Sequence, residues 1–199
     1  MGTRTRRRAG VRPRHDLPSC VFAPPFYWSE AIHARVIDAE TGQPIEGVVV
    51  VADWKLYGGG IGHGGHHRAL FVEETLTDAN GEFAFGKWGP RRRPAYAVLD
   101  TAPWLLLFKR GYQHRFLSNA ADSNAAVRRS DWTASTVQLQ RFVGTGAERV
   151  DALRTVLSLS ELQPRLLNEI DKESEFYRRI APAFFDHVRH LATDSEVHP

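Results

Sequence analysis

Ala34-Arg35-Val36-Ile37-Asp38, Thr41-Gly42-Gln43-Pro44-Ile45-Glu46-Gly47, Val48-Val49-Val50-Val51-Ala52 and Thr77-Asp78-Ala79-Asn80-Gly81-Glu82-Phe83-Ala84-Phe85 decide the fold. Apolar segments of strand length alternate here with two turn signals. Glycine at 42, 47 and 81 reaches positive φ without a Cβ clash, and Pro44 pre-sets its own φ, so each turn has a mechanism. The spacing predicts a first strand over 32–37 and a second over 47–56. The second is apolar on both faces at Val48–Val51, as a central strand requires. A third strand over 70–76 and a short fourth over 82–85 complete the stretch.

Outward from this block the pattern continues. Tyr96–Leu99, Trp104–Lys109, Tyr112–Leu117 and Thr136–Phe142 read as further strands, with Pro103 and Gly111 marking turns and Ser118–Asp131 a polar loop. Short strands at this spacing favour a sandwich over α/β. The expected fold class is mainly β: an antiparallel Greek-key sandwich of about seven strands carrying a C-terminal helical tail.

The pattern Val36-x-Asp38-x-x-Thr41-Gly42-x-Pro44-Ile45-x-Gly47-x-x-Val50, then Thr77-Asp78-x-x-Gly81-x-Phe83, resembles the carboxypeptidase regulatory-like domain over residues 30–142. That resemblance implies a transthyretin-like sandwich, usually a non-enzymatic module of exported or surface proteins. It brings no catalytic residues to carry over. The related ring-cleaving iron dioxygenases share the architecture, but their tyrosine and histidine ligands map to no positions here. A sandwich hosts many unrelated roles, so the fold alone leaves function open.

Composition bounds the rest. A chain of 199 residues with 42% hydrophobic content accommodates one compact domain plus an appendage. Cys20 is the single cysteine, so no internal disulfide forms, and no run of 18 apolar residues exists to span a bilayer. The net charge of +3 is unevenly placed: six arginines (Arg4, Arg6, Arg7, Arg8, Arg12 and Arg14) sit in residues 1–15 with no acid. The remaining 20 basic residues face 23 acids, which leaves the body at −3. A nucleic-acid partner would rest on that arm alone, and the arm lacks interleaved aromatics, so the sequence argues against one.

Residues 1–29 read as a basic arm leading into an extended Pro/aromatic segment. Leu17-Pro18-Ser19-Cys20 resembles a bacterial lipobox, which makes Cys20 a candidate lipidation site. A signal peptide needs an apolar segment before the cleavage site, and Arg6 to Asp16 is the opposite of one. The plain alternative is an unpaired thiol; a third is a different true start that encodes an export signal. Membrane contact is expected only through such an anchor, and the expected compartment, where the true start encodes a signal, is the periplasm, outer membrane or cell surface.

Phe26-Tyr27-Trp28 comes after Pro24-Pro25 and is too proline-rich for a helix. The three aromatics either form an exposed patch for a partner or cover an open edge of the core, the commoner use. Arg91-Arg92-Arg93, between Pro90 and Pro94, reads as an exposed basic knuckle, a second candidate partner contact. The tail, residues 146–193, carries apolar residues at helical spacing: Val150, Leu153, Val156 and Leu157, then Leu162, Leu166, Ile170, Tyr177, Ala181, Phe184, Val188 and Leu191. A helix starts between Ser160 and Pro164, and Pro182 breaks or kinks it. This stripe is expected to pack on the sandwich or on itself, the alternative being a partner or dimer surface.

Chemistry-bearing motifs are sparse. Gly60, Gly62 and Gly65 spell a literal G-x-G-x-x-G, but a strand-like segment comes next where the phosphate-cradling form needs a helix. His63, His66 and His67 could present imidazoles to zinc or copper, with His33 or His114 brought near by folding. The glycines around them leave the ligands unrestrained, so a solvated loop is the expected reading and no cofactor is expected. Thr77–Gly81 lacks the oxygen set of a calcium loop and reads as a hairpin turn. Serines 118, 123 and 130 form no recognisable nucleophile–base pair. The sequence thus favours a non-catalytic binding or structural module that presents loops and a helical tail to a protein or glycan partner. A metal-binding protein or metalloenzyme built on the histidine loop is the alternative.

Overall fold

The computed structural model describes residues 24–58, 68–94, 97–99, 103–119, 125–159, 163–177 and 181–197. Eleven strands come first: β1 (Phe26–Ser29), β2 (Ile32–Asp38), β3 (Val49–Gly58), β4 (Arg68–Leu76), β5 (Glu82–Phe85), β6 (Trp88–Arg92), β7 (Ala97–Leu99), β8 (Trp104–Phe108), β9 (Arg115–Leu117), β10 (Val127–Arg128) and β11 (Thr136–Leu139). Three helices follow among the described residues: α1 (Gly146–Leu159), α2 (Pro164–Tyr177) and α3 (Pro182–Val197). The mainly-β sandwich with a helical tail is therefore the fold.

The strands form three sheets, ordered β10-β1-β6, β11-β2-β5 and β4-β3-β8-β9, with β7 also paired to β3. β8 returns by a long connection to lie beside β3, and β5 neighbours β4 from the other sheet. Two departures from the sequence expectation have a common cause. β1 runs parallel to β10 and β2 parallel to β11, so the sheets are mixed rather than wholly antiparallel. Both pairs join strands far apart in sequence, and long connections permit parallel pairing that a hairpin forbids. The same distant pairings, with β6, raise the strand number above seven, since a short segment becomes a strand once a remote partner supplies its ladder.

β3 explains the layering. Successive side chains point to opposite faces. Val50, Ala52, Trp54 and Leu56 enter the core between the sheets, alongside Ile32, Val36, Phe83, Phe85, Leu105, Leu107 and Val137. Val49 and Val51 point the other way and, with Leu106 and Phe108, meet Val150, Leu153, Val156, Leu166, Ile170, Phe185 and Val188 of the helices. The apolar stripe of the tail is buried on the sandwich, where the helices form a third layer.

The predicted turns are present. Gly42, Gly47 and Gly81 all hold positive φ. At Gly81 a Cβ would run into the Val36 carbonyl oxygen, and the Gly81 carbonyl in turn accepts Val36 N at 2.7 Å. Buried Thr77 joins the two turns: its hydroxyl accepts from Val48 N at 2.8 Å and donates to Ile45 O at 2.7 Å. Asp78 Oδ1 accepts from Asn80 N and Glu82 N, which closes this turn. β4 pairs with β3 and β5 with β2, however, so the turn carries the chain from one sheet to the other instead of closing the expected hairpin.

Two side-chain devices fasten the helical layer. Glu74 of β4 accepts Arg165 N at 3.0 Å and Leu166 N at 3.3 Å, so a sheet residue caps the exposed amides opening α2. Arg149 of α1, 1% exposed, meets Glu173 of α2 through Nη2 to Oε1 at 2.6 Å and Nε to Oε2 at 3.0 Å. Arg149 Nη1 also donates to Tyr112 O at 2.7 Å, and Gly111 N donates to Glu173 Oε1 at 3.2 Å. The pair therefore ties both helices to the β8–β9 turn.

Candidate functional site

The small sheet β10-β1-β6 carries both clusters that the sequence singled out as partner contacts. The basic segment is a strand rather than a loop knuckle: Phe26 lies opposite Arg92 and Tyr27 opposite Arg91 in the antiparallel β1–β6 pair. Alternation divides the aromatics between the two faces. Tyr27 is fully buried in the core, while Phe26 and Trp28 are 42% and 38% exposed. Val127, across from Trp28 on β10, is 45% exposed. The outer face is thus an apolar strip, Phe26–Trp28–Val127, with the Phe26 and Trp28 ring centroids 6.4 Å apart. Directly opposed residues of a pair share a face, so Arg92 flanks Phe26 on this same side.

The inner face holds the strip in place. The Tyr27 hydroxyl accepts Leu99 N at 3.2 Å, and buried Arg128 donates from Nη2 to Leu99 O at 3.0 Å. Trp88, facing inward beside Ser29, sits edge-on to Trp54 at 5.3 Å and to Phe71 at 5.5 Å. Arg91 lies 3.8 Å above the Phe71 ring, a cation–π contact that directs its charge away from the outer strip. Arg93 donates to Pro24 O at 3.1 Å and to Ala97 O at 2.6 Å, so it pins the chain that enters β1. Of the three arginines, Arg92 alone is exposed on the apolar strip.

Gly89 makes the surface possible. Its φ is +122°, and a Cβ there would stand 2.6 Å from Trp28 Cδ1. The indole therefore lies over bare backbone. An open concavity of about 670 Å³ adjoins it, walled by Trp28 and Val127 and rimmed by Glu30 and Lys87. Glu30 Oε1 pairs with Arg129 Nε at 3.0 Å, both well exposed. Val127, Lys87 and Gly89 had no place in the sequence reading. A glycine before proline beside tryptophan was the available signal, but only the register shows what it faces.

Other sequence candidates fall elsewhere. His63, His66, His67 and Cys20 lie outside the described residues, as does the G-x-G-x-x-G. His33 is exposed on β2, opposite Ala84. His114 contacts Phe116 at 5.6 Å, and burial, then the Arg149 charge, pushes its pKa down. Among the described residues no group of three or more His, Cys, Asp or Glu gathers as a metal site would require. Among them, too, no helix is long and apolar enough to cross a membrane.

Neither family models nor curated proteins match the chain. Among solved structures it is similar to the group B streptococcus pilus 2b backbone protein: 15% identity, TM-score 0.30, 60% of this chain and 43% of that one. It is also similar to the shaft pilin SpaA of Lactobacillus rhamnosus GG, at 13% identity, TM-score 0.31, 60% of this chain and 47% of that one. A 9R-lipoxygenase from Cyanothece matches at 7% identity and TM-score 0.30, over 93% of this chain and 26% of that one. The chain spans less than half the length of each. Likenesses this distant leave activity to be argued from the residues.

Proposed function

We propose that this chain is a non-catalytic binding module of the carboxypeptidase regulatory-like type, working at an exported or surface location. Its docking surface is the outer face of β10-β1-β6. One observation carries the reading: Tyr27 is wholly buried while its neighbours Phe26 and Trp28 remain exposed together beside Val127. Large apolar side chains grouped on a surface mark interaction sites, and Trp and Tyr carry much of the energy at such sites. The inward hydrogen bonds of Tyr27 and Arg128 hold the strip rigid, which lowers the entropic cost of binding. The exported setting comes from the family resemblance.

The test compares fluorescently labelled full-length chain with its Trp28→Ala and Phe26→Ala variants for association with the envelope fraction of the native source. Loss of association in both variants, with unchanged circular dichroism, is the expected result. Equal association by wild type and variants overturns the assignment of this face.

A further inference from the structure

We infer that the occupant of this face is an acidic polysaccharide, a polymer whose sugar rings carry carboxylates. The inference rests on the reading of this face as a docking surface and names its partner. The concavity beside Trp28 joins an exposed indole to a rim that holds a carboxylate, Glu30, and an ammonium, Lys87. A sugar ring suits both parts. Its axial C–H face packs on the electron-rich face of an indole, and the Gly89 backbone backs that indole from its other side. Its hydroxyls each donate and accept, so they can use Glu30 and Lys87 together, as the few polar groups of a ligand site do.

The charges set the sign of the ligand. Lys87 and Arg92 are exposed around the strip, and the nearby Glu30 is already paired with Arg129 at 3.0 Å. The surface is thus locally basic on a body whose charge beyond residue 15 is −3. Apart from the arginine-rich residues 1–15, which attract any polyanion, an anionic polymer is drawn to this face and repelled by the rest of the body.

Titration of the full chain, monitored by tryptophan fluorescence, with a short oligogalacturonate, a neutral cello-oligosaccharide and an oligothymidylate tests the inference. Oligogalacturonate is expected to bind, more weakly as salt rises, with at least a roughly tenfold loss in Trp28→Ala and a several-fold loss in Lys87→Glu. Arg110→Glu, on the β8–β9 turn, is expected to leave binding unchanged. Lys87→Glu alters only an exposed charge, so it stays informative if Trp28→Ala destabilises the fold. No binding, or binding indifferent to both Trp28→Ala and Lys87→Glu, overturns the proposal. Preference for the neutral sugar or for oligothymidylate, lost in Trp28→Ala, also overturns it while the docking face stands. Envelope association that survives both the Trp28→Ala and Phe26→Ala changes is the separate result that would remove the face itself.

Discussion

Val50 is wholly buried on β3, opposite Thr75 on one side and Leu107 on the other, with its side chain in the inter-sheet core. Val50→Asp places a carboxylate where no water or partner can reach it. We expect a loss of several kcal/mol, enough to unfold a domain of ordinary stability. Unchanged thermal stability of the variant would show that the site is not core. Asp38 makes a different argument at the same scale. Its Oδ1 accepts Thr41 N at 3.0 Å and Glu40 N at 2.9 Å, while Oδ2 takes the Tyr112 hydroxyl at 2.8 Å and Arg141 at 3.1 Å. The Thr41 amide first, then the Tyr112 hydroxyl and the Glu40 amide, hold its pKa down to about 2 from 3.8. The unfolded chain therefore takes up this proton before the folded one does. The stabilisation is complete above the unfolded value and is lost as pH falls through 3.8 towards 2. Acid titration of stability should show that decline, and Asp38→Asn should flatten this part of it. An unaltered acid profile in the variant would assign the decline to other carboxylates.

At the scale of elements, α2 depends on a residue outside itself. Pro164 opens the helix, tolerated there because a first-turn amide has no partner to lose. The next two amides are taken by Glu74 of β4. Glu74→Ala should cost about 1 kcal/mol in urea unfolding and raise hydrogen exchange at Leu166 and Leu167. Exchange unchanged at those amides would show that the cap does not hold the helix end. This contact also shows where sequence reading stops. β2, β3, β4 and β5 were legible because their turns are written in glycine, proline and aspartate, and the starts of α2 and α3 because Pro164 and Pro182 mark them. Thr145-Gly146-Ala147-Glu148 is equally legible as a capping box, with Thr145 N on Glu148 Oε2 at 2.7 Å, and is a start signal that the sequence reading missed. β6 and β10 were not legible. Trp88-Gly89-Pro90-Arg91-Arg92 has loop composition and becomes a strand only because β1 lies beside it. For the same reason the proposed docking face was half visible: Phe26, Trp28 and Arg92 could be named, but which aromatic turned inward depended on the register.

At the scale of the whole molecule, the sandwich is coupled to its helical layer by apolar contact, by the Glu74 cap on α2 and by the buried Arg149–Glu173 pair. Without the helices, Val49, Val51, Leu106 and Phe108 would face water from one sheet. Arg149 and Glu173 are 1% and 3% exposed and bond both to each other and to the β8–β9 turn. Desolvating two such charges offsets much of their attraction, so the pair is not a large net stabiliser against an apolar substitute. Breaking it is another matter. Glu173→Gln leaves a buried guanidinium without its counter-charge and is expected to cost about 3–5 kcal/mol, and Arg149→Met, the reverse break, a similar amount. The double change Arg149→Met with Glu173→Leu leaves no stranded charge and should recover most of that loss. Urea midpoints of the three variants measure the coupling. Strictly additive losses would mean that the two residues act independently, each through its own bond to the β8–β9 turn. Strong coupling would make the pair the device that fixes one orientation of the tail, while the sheet β10-β1-β6, which it does not touch, should keep the proposed oligogalacturonate binding in all three variants.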